Sequence, residues 1–114
     1  MAFDQILDIA FFEGNFVPFT EARVSIGTHA LQYGTGAFAG VRGYLADDGE
    51  TINILRLREH ATRLLRSARL LRMELPFTVD SLAETMIELT RRNAPEQDVY
   101  FRPFVYKASV QLTP

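Results

Sequence analysis

Cysteine is absent from this 114-residue sequence, histidine occurs twice and lysine once. Without cysteine there is no disulfide framework, no thiolate nucleophile and no Cys-based zinc site. The two histidines, His29 and His60, are too few and too far apart in sequence to suggest a metal cluster. Each reads as a structural histidine and not as a catalytic base. No apolar run is long enough to span a membrane, and the opening MAFDQILDIAFFEG is acidic where a signal peptide would be basic. A cytoplasmic protein is the expectation. The formal net charge of −2 offers no general attraction to nucleic acid or to an anionic membrane, so neither is an expected partner.

What is present suits one domain covering residues 1–114. The apolar fraction of 47% and charged fraction of 23% belong to a soluble globular chain, and a chain of this size buries a real core. Ile9 to Phe12 and Phe16-Val17 flank Glu13-Gly14-Asn15, which predicts a hairpin turning at Gly14. Residues 20–32 carry no clear pattern. Phe38 to Leu45 and Thr51 to Leu55 read as two strands joined at Asp47-Asp48-Gly49. Leu57 to Met73 has helical period, with Leu57, Ala61, Leu64, Leu65, Ala68 and Leu71 on one face. A second helix is expected from Val79 to Asn93, with Thr78 as N-cap and a stripe of Val79, Leu82, Ala83, Met86 and Leu89. Val99 to Ser109 reads as one long strand. Strands and helices do not alternate strictly, so the expected fold class is α+β. The layout is a two-layer sandwich of a mostly antiparallel sheet with two main helices.

Side chains alternate across a strand, so parity assigns faces. Phe38, Gly40, Arg42 and Tyr44 share one face of FAGVRGYL, opposite Ala39, Val41, Gly43 and Leu45. In VYFRPFVY, Tyr100, Arg102, Phe104 and Tyr106 stand opposite Val99, Phe101, Pro103 and Val105. Both strands thus pair an aliphatic-rich face with a face of aromatics and arginine. An arginine among aromatics can grip a carboxylate with its planar fork while the rings wall an apolar pocket. It can equally be a snorkelling side chain on a solvent-facing sheet, and parity alone leaves both readings open. In LRLREHATRLLRSARLLRM, six arginines spread around the polar side of the helix without forming a stripe. For Arg63, with Glu59 one turn before it, a surface ion pair is the default.

Taken together and in this order, HALQYGTGAFAGVRGY, ILRLREHATRLLRSA and VYFRPFVY resemble the fold-type IV, or class IV, pyridoxal-phosphate aminotransferases. The first stretch is the specific one, being similar to the branched-chain aminotransferase pattern His-Ala-Leu-x-Tyr-Gly followed by Phe-x-Gly-hydrophobic-Arg. The resemblance implies the N-terminal small domain of such an enzyme, with a C-terminal domain beyond Pro114. It implies transfer of amino groups between leucine, isoleucine or valine and 2-oxoglutarate, with pyridoxal 5'-phosphate as cofactor. Amino acid and 2-oxo acid substrates and a homo-oligomer, a dimer or larger, follow as partners. By resemblance Arg63 holds the cofactor phosphate, which displaces the surface reading for that arginine alone. Tyr100 and Arg102 meet substrate carboxylates, and Phe38 and Gly40 line the side-chain pocket, with Arg42 supporting it. Tyr33 completes the pocket across a dimer interface. The D-amino acid aminotransferases and aminodeoxychorismate lyases share the helix pattern and form the alternative within the fold. A stand-alone, non-catalytic binding module is the alternative outside it. Ala39 stands where many members carry an acidic residue. The lysine that holds the cofactor as a Schiff base lies in the family's second domain, so Lys107 is not given that role and no catalytic residue is expected here.

Overall fold

The computed structural model describes residues 5–110, and it is α+β with every strand pair antiparallel. Strands β1 (Ile9–Phe12) and β2 (Asn15–Pro18) form the expected hairpin. Its two-residue turn needs positive φ twice, as in a type I′ turn, and Glu13 (48°) and Gly14 (92°) supply it. After a short 3-10 turn comes helix α1 (His29–Tyr33), which begins inside the stretch that has no readable pattern. Strands β3 (Gly36–Phe38), β4 (Val41–Leu45) and β5 (Ile52–Ile54) follow, then helices α2 (Leu57–Leu70) and α3 (Val79–Asn93), and strands β6 (Val99–Phe101) and β7 (Phe104–Tyr106).

The two long strands expected from the sequence are each broken in two, and the breaks face one another. β3 pairs with β7, and β4 with both β5 and β6. Between the two ladders Ala39 N–H donates to Pro103 C=O at 3.1 Å. Proline has no N–H to return, so the ladder cannot run through Pro103, and Gly40 opposite gives the chain room to bend. Parity survives the break. Ala39 (3% exposed) and Val41 (0%) face the core, while Phe38 and Arg42 stay exposed.

The helices cover the Ala39–Val41 side. Ala61, Leu64, Leu65 and Ala68 of α2 and Ala83 and Met86 of α3 are buried, and Ala39, Val41 and Met86 form one cluster with Ile54, Leu57 and Phe101 packed on it. α3 begins as expected: Thr78 Oγ1 accepts from Ser81 N–H (3.1 Å) while Ser81 Oγ accepts from Thr78 N–H (2.9 Å), a reciprocal capping box. α2 stops at Leu70, three residues short of the expected end. Arg72 takes φ of 59° and Met73 N–H reaches back to Ala68 C=O at 2.8 Å, a closing turn that buries Met73. The apolar period runs on to Met73 because this turn, and not another helical turn, carries it into the core. The β4–β5 turn is held by Asp48, whose carboxylate accepts from Glu50 N–H, Thr51 N–H and Thr51 Oγ1–H. Those donors hold its carboxyl down at about 2.

Gly43, central in β4, lies where a Cβ would come within 2.7 Å of Ile52 Cγ2 and 2.9 Å of Val99 Cγ2. Both neighbours are branched side chains fixed in adjacent strands, so there is no room to give. Gly43→Ala is expected to destabilise the fold by about 1–3 kcal/mol through overpacking, read as a lowered urea midpoint.

Candidate functional site

Four strands build one aromatic and arginine-bearing face on the side of the sheet away from the helices. The register sets Phe38 across from Phe104 and Arg42 across from Tyr100. Arg102, in the break between β6 and β7, lays its guanidinium 4.1 Å from the Phe38 ring centre and donates to Tyr100 Oη at 3.2 Å. Gly40 closes the group. A Cβ there would sit 2.8 Å from Tyr100 Oη, so the tyrosine can lean over the bend only because position 40 has no side chain. Phe38, Gly40, Arg42, Tyr100 and Arg102, singled out from parity, are thus brought together. Phe38 is 54% exposed and Tyr100 40%, a large aromatic area open to a ligand.

The chemistry of this face is that of an amphipathic carboxylate. A guanidinium resting on an exposed ring is held by about 0.5–1 kcal/mol, weakly enough for a carboxylate to recruit it into a bidentate pair. The rings beneath offer apolar wall. Ala39 points into the core and away from this face.

Arg63 lies outside the group, on the exposed side of α2. With Arg58, Glu59, Thr62 and Arg66 it lines a groove of about 330 Å³. Three guanidiniums and one carboxylate make the groove cationic, which fits a phosphate. The ion pair expected between Arg63 and Glu59 is replaced. Glu59 lies 4.0 Å from Arg56, and Arg63 Nη2 donates to His60 Nδ1 at 3.3 Å. Arginine has no acceptor, so that nitrogen must be the unprotonated one. Arg58 is paired with Asp80 of α3.

Tyr33 ends α1, half-exposed, with its ring against that of His29 at 4.6 Å between centres. His29 Nδ1 shares a 2.8 Å hydrogen bond with Thr35 Oγ1. The sequence reading treats His29 as a satisfied structural residue and misses this contact. The i, i+4 spacing of His29 and Tyr33 is the signal that could have found it, given a helix there. Lys107 is half-buried and follows β7 at the parity of Val105, so it does not share the candidate face.

Tyr106 closes the far end of β7 by donating to Glu13 Oε2 in the β1–β2 turn at 2.8 Å. Burial, and then this bond to a carboxylate, push its hydroxyl up to about 12 from 10.0. A raised pKa means the fold favours the neutral phenol, so the contribution is complete below pH 10 and is lost as the pH climbs from 10 to about 12. The stability margin of wild type over Tyr106→Phe is therefore expected to be constant below pH 10 and to shrink above it. A margin that grows with alkali would show that the bond is not what holds the hydroxyl.

Comparison with known proteins adds an independent line. The family model for amino-transferase class IV matches residues 37–113. A "Probable branched-chain-amino-acid aminotransferase" of Aquifex aeolicus is 44% identical over 108 residues, covering 95% of this chain and 35% of that protein. A crystal structure of the Escherichia coli branched-chain amino acid aminotransferase superposes with a TM-score of 0.84 at 32% identity, covering 96% of this chain and 36% of that one. The T.th. branched-chain amino acid aminotransferase complexed with N-(5'-phosphopyridoxyl)-L-glutamate gives 0.79 at 41% identity, covering 88% and 32%. The chain therefore spans about a third of the length of the relatives it matches.

Proposed function

This chain belongs to the class IV amino-transferase family, and from that premise we propose that it is the N-terminal domain, residues 1–114, of a branched-chain amino acid transaminase dependent on pyridoxal 5'-phosphate. The protein would move amino groups between leucine, isoleucine or valine and 2-oxoglutarate. The observation that carries this reading is Arg102 seated on Phe38 beside the Tyr100 hydroxyl, an apolar wall with a guanidinium at its edge. One pocket can then serve both substrate types. A branched side chain rests on the rings, while the second carboxylate of glutamate takes the arginine. Arg42, across from Tyr100 in the register, supports the pocket from the neighbouring strand. The likeness to an enzyme complexed with a phosphopyridoxyl-glutamate adduct supports both the cofactor and the amino donor.

The cationic groove on α2 fits the cofactor's phosphate, with Arg63 as the residue that holds it. The bound cofactor supplies the electron sink. This chain's residues bind and orient: Arg63 fixes the phosphate, Arg102 and Tyr100 the carboxylates, Phe38 and Gly40 the side chain, with Tyr33 completing the pocket from a partner subunit. The lysine and the remaining domain lie outside these residues. A homo-oligomer acting in the cytoplasm belongs to the same reading.

The test is a substrate profile of the full-length protein with added pyridoxal phosphate. Turnover of leucine, isoleucine or valine with 2-oxoglutarate is the expected result. Strong turnover of a D-amino acid with none of these three would move the protein to another branch of the family. No amino transfer with any donor would leave a binding module.

A further inference from the structure

An arginine that holds a phosphate meets two opposed demands. Its long side chain must be kept near one position, because freezing a mobile guanidinium on binding subtracts from affinity. Yet the common way to hold it, an ion pair with a carboxylate, cancels the charge that attracts the anion. In the α2 groove the carboxylates are engaged elsewhere: Glu59 lies 4.0 Å from Arg56, and Asp80 pairs with Arg58. Arg63 is held by an acceptor of another kind, its Nη2 donating to His60 Nδ1 at 3.3 Å. That bond exists only while Nδ1 carries no proton, so the imidazole in it is neutral. Among the described residues Arg58 is held but paired with a carboxylate, Arg66 has no hydrogen-bond or ion-pair partner, and Arg63 is held without being neutralised.

The place of His60 in the helix suits it to this task. It sits in the first turn of α2, where its N–H donates to Arg56 C=O at 3.0 Å. It stands one turn before Leu64 of the buried stripe and is itself half-buried, whereas Arg63 is exposed. A short ring at the edge of the core is stiffer than the arginine it holds, so the bond restrains the guanidinium more than the imidazole. The groove is lined by Arg58, Glu59, Thr62, Arg63 and Arg66, and His60 reaches it only through Arg63. We propose that His60 is a positioning residue for the cofactor phosphate: its neutral imidazole sets the Arg63 guanidinium at the groove and leaves the arginine's charge intact. This rests on the reading of Arg63 as the phosphate-holding residue given above. His60 needs no contact with the phosphate and no proton transfer for this role.

The experiment titrates the full-length protein with pyridoxal phosphate, followed by absorbance, in wild type, His60→Asn and His60→Leu. The two replacements have nearly the same shape, but only asparagine brings a carbonyl oxygen that can accept from Arg63 where Nδ1 did. His60→Leu is expected to weaken cofactor binding about five- to tenfold, and His60→Asn to stay within about twofold of wild type. A merely structural role gives the opposite order, because leucine is the better helix former and the better fit to a half-buried site. Thermal unfolding of the cofactor-free protein should accordingly rank His60→Leu at or above His60→Asn. In an Arg63→Ala background His60→Leu should add no further loss, since it acts only through that guanidinium. Should either variant fail to fold, His60→Ala beside His60→Gln carries the same contrast. Equal affinities of the Asn and Leu variants, wild-type affinity in His60→Leu, or a further loss in the Arg63→Ala background would overturn the positioning role. Arg63→Ala protein that binds the cofactor as tightly as wild type would instead overturn the reading of Arg63, and a wild type that binds none would overturn the functional reading.

Discussion

The 114-residue chain by itself is expected to transfer no amino group from glutamate to any 2-oxo acid, with or without pyridoxal phosphate. The chemistry requires a lysine amine that can reach the cofactor carbonyl and afterwards move a proton. The chain has a single lysine, Lys107. Its parity puts it on the opposite side of β7 from Arg102 and Phe104, and its backbone is committed to holding α1 through Thr35 and Ala30. Turning its side chain to the candidate face would mean unmaking those bonds. The check is a coupled assay on the purified segment beside the full-length protein at equal molarity. Glutamate-dependent transfer by the segment above the no-protein rate would show that Lys107, or a route without lysine, can do the work. That would reopen the assignment of every residue on the sheet face.

The second large effect is expected at Arg63. In the full-length enzyme, Arg63→Ala should weaken pyridoxal phosphate binding about ten- to hundredfold, as a charged hydrogen bond worth about 1.5–3 kcal/mol is lost. The fold should change little. Arg63 is exposed on α2, clear of the buried stripe of Ala61, Leu64, Leu65 and Ala68, and among the described residues it bonds to an imidazole on its own helix. Arg63→Lys keeps the charge without the fork and should fall between the two. Cofactor affinity is read by absorbance titration and stability by thermal unfolding of the cofactor-free protein. Equal affinity in wild type and Arg63→Ala would transfer the phosphate to another arginine of the same groove, of which Arg58 is already paired with Asp80. A large fall in unfolding temperature with unchanged affinity would make Arg63 structural.

Features that depend on near neighbours were legible without coordinates. The β1–β2 turn at Gly14, the Thr78 cap and the apolar stripes of α2 and α3 all rest on spacings of one to four residues. Parity also placed Phe38, Gly40 and Arg42 on one face and Tyr100 with Arg102 on another, and Phe38, Arg42, Tyr100 and Arg102 stay exposed opposite buried Ala39, Val41 and Val99. Three things were not legible. The break in each long strand depends on Pro103 facing the Ala39–Gly40 bend across the sheet, and no sequence window contains both. Helix α1 depends on carbonyls from 107–109 to satisfy its N–H groups, so its local pattern is too short to read. The end of α2 was misplaced because Met73 keeps the helical period while leaving the helix.

The site divides along the same line. Sequence by itself determined which residue types stand on which face, since alternation along a strand and the turn of a helix are properties of the backbone alone. It also determined the family, because three separated motifs occur in order along one chain. Only tertiary structure decided that the two arginine-bearing strands run side by side, with Arg102 on Phe38 and Tyr100 over Gly40. It alone set Arg63 in a groove apart from them and the Tyr33 ring against His29. Pairing between residues about sixty positions apart in sequence is chosen by the burial of Val41, Ala39 and Met86 in a shared core. That choice is a sum over the whole molecule, which no local pattern contains.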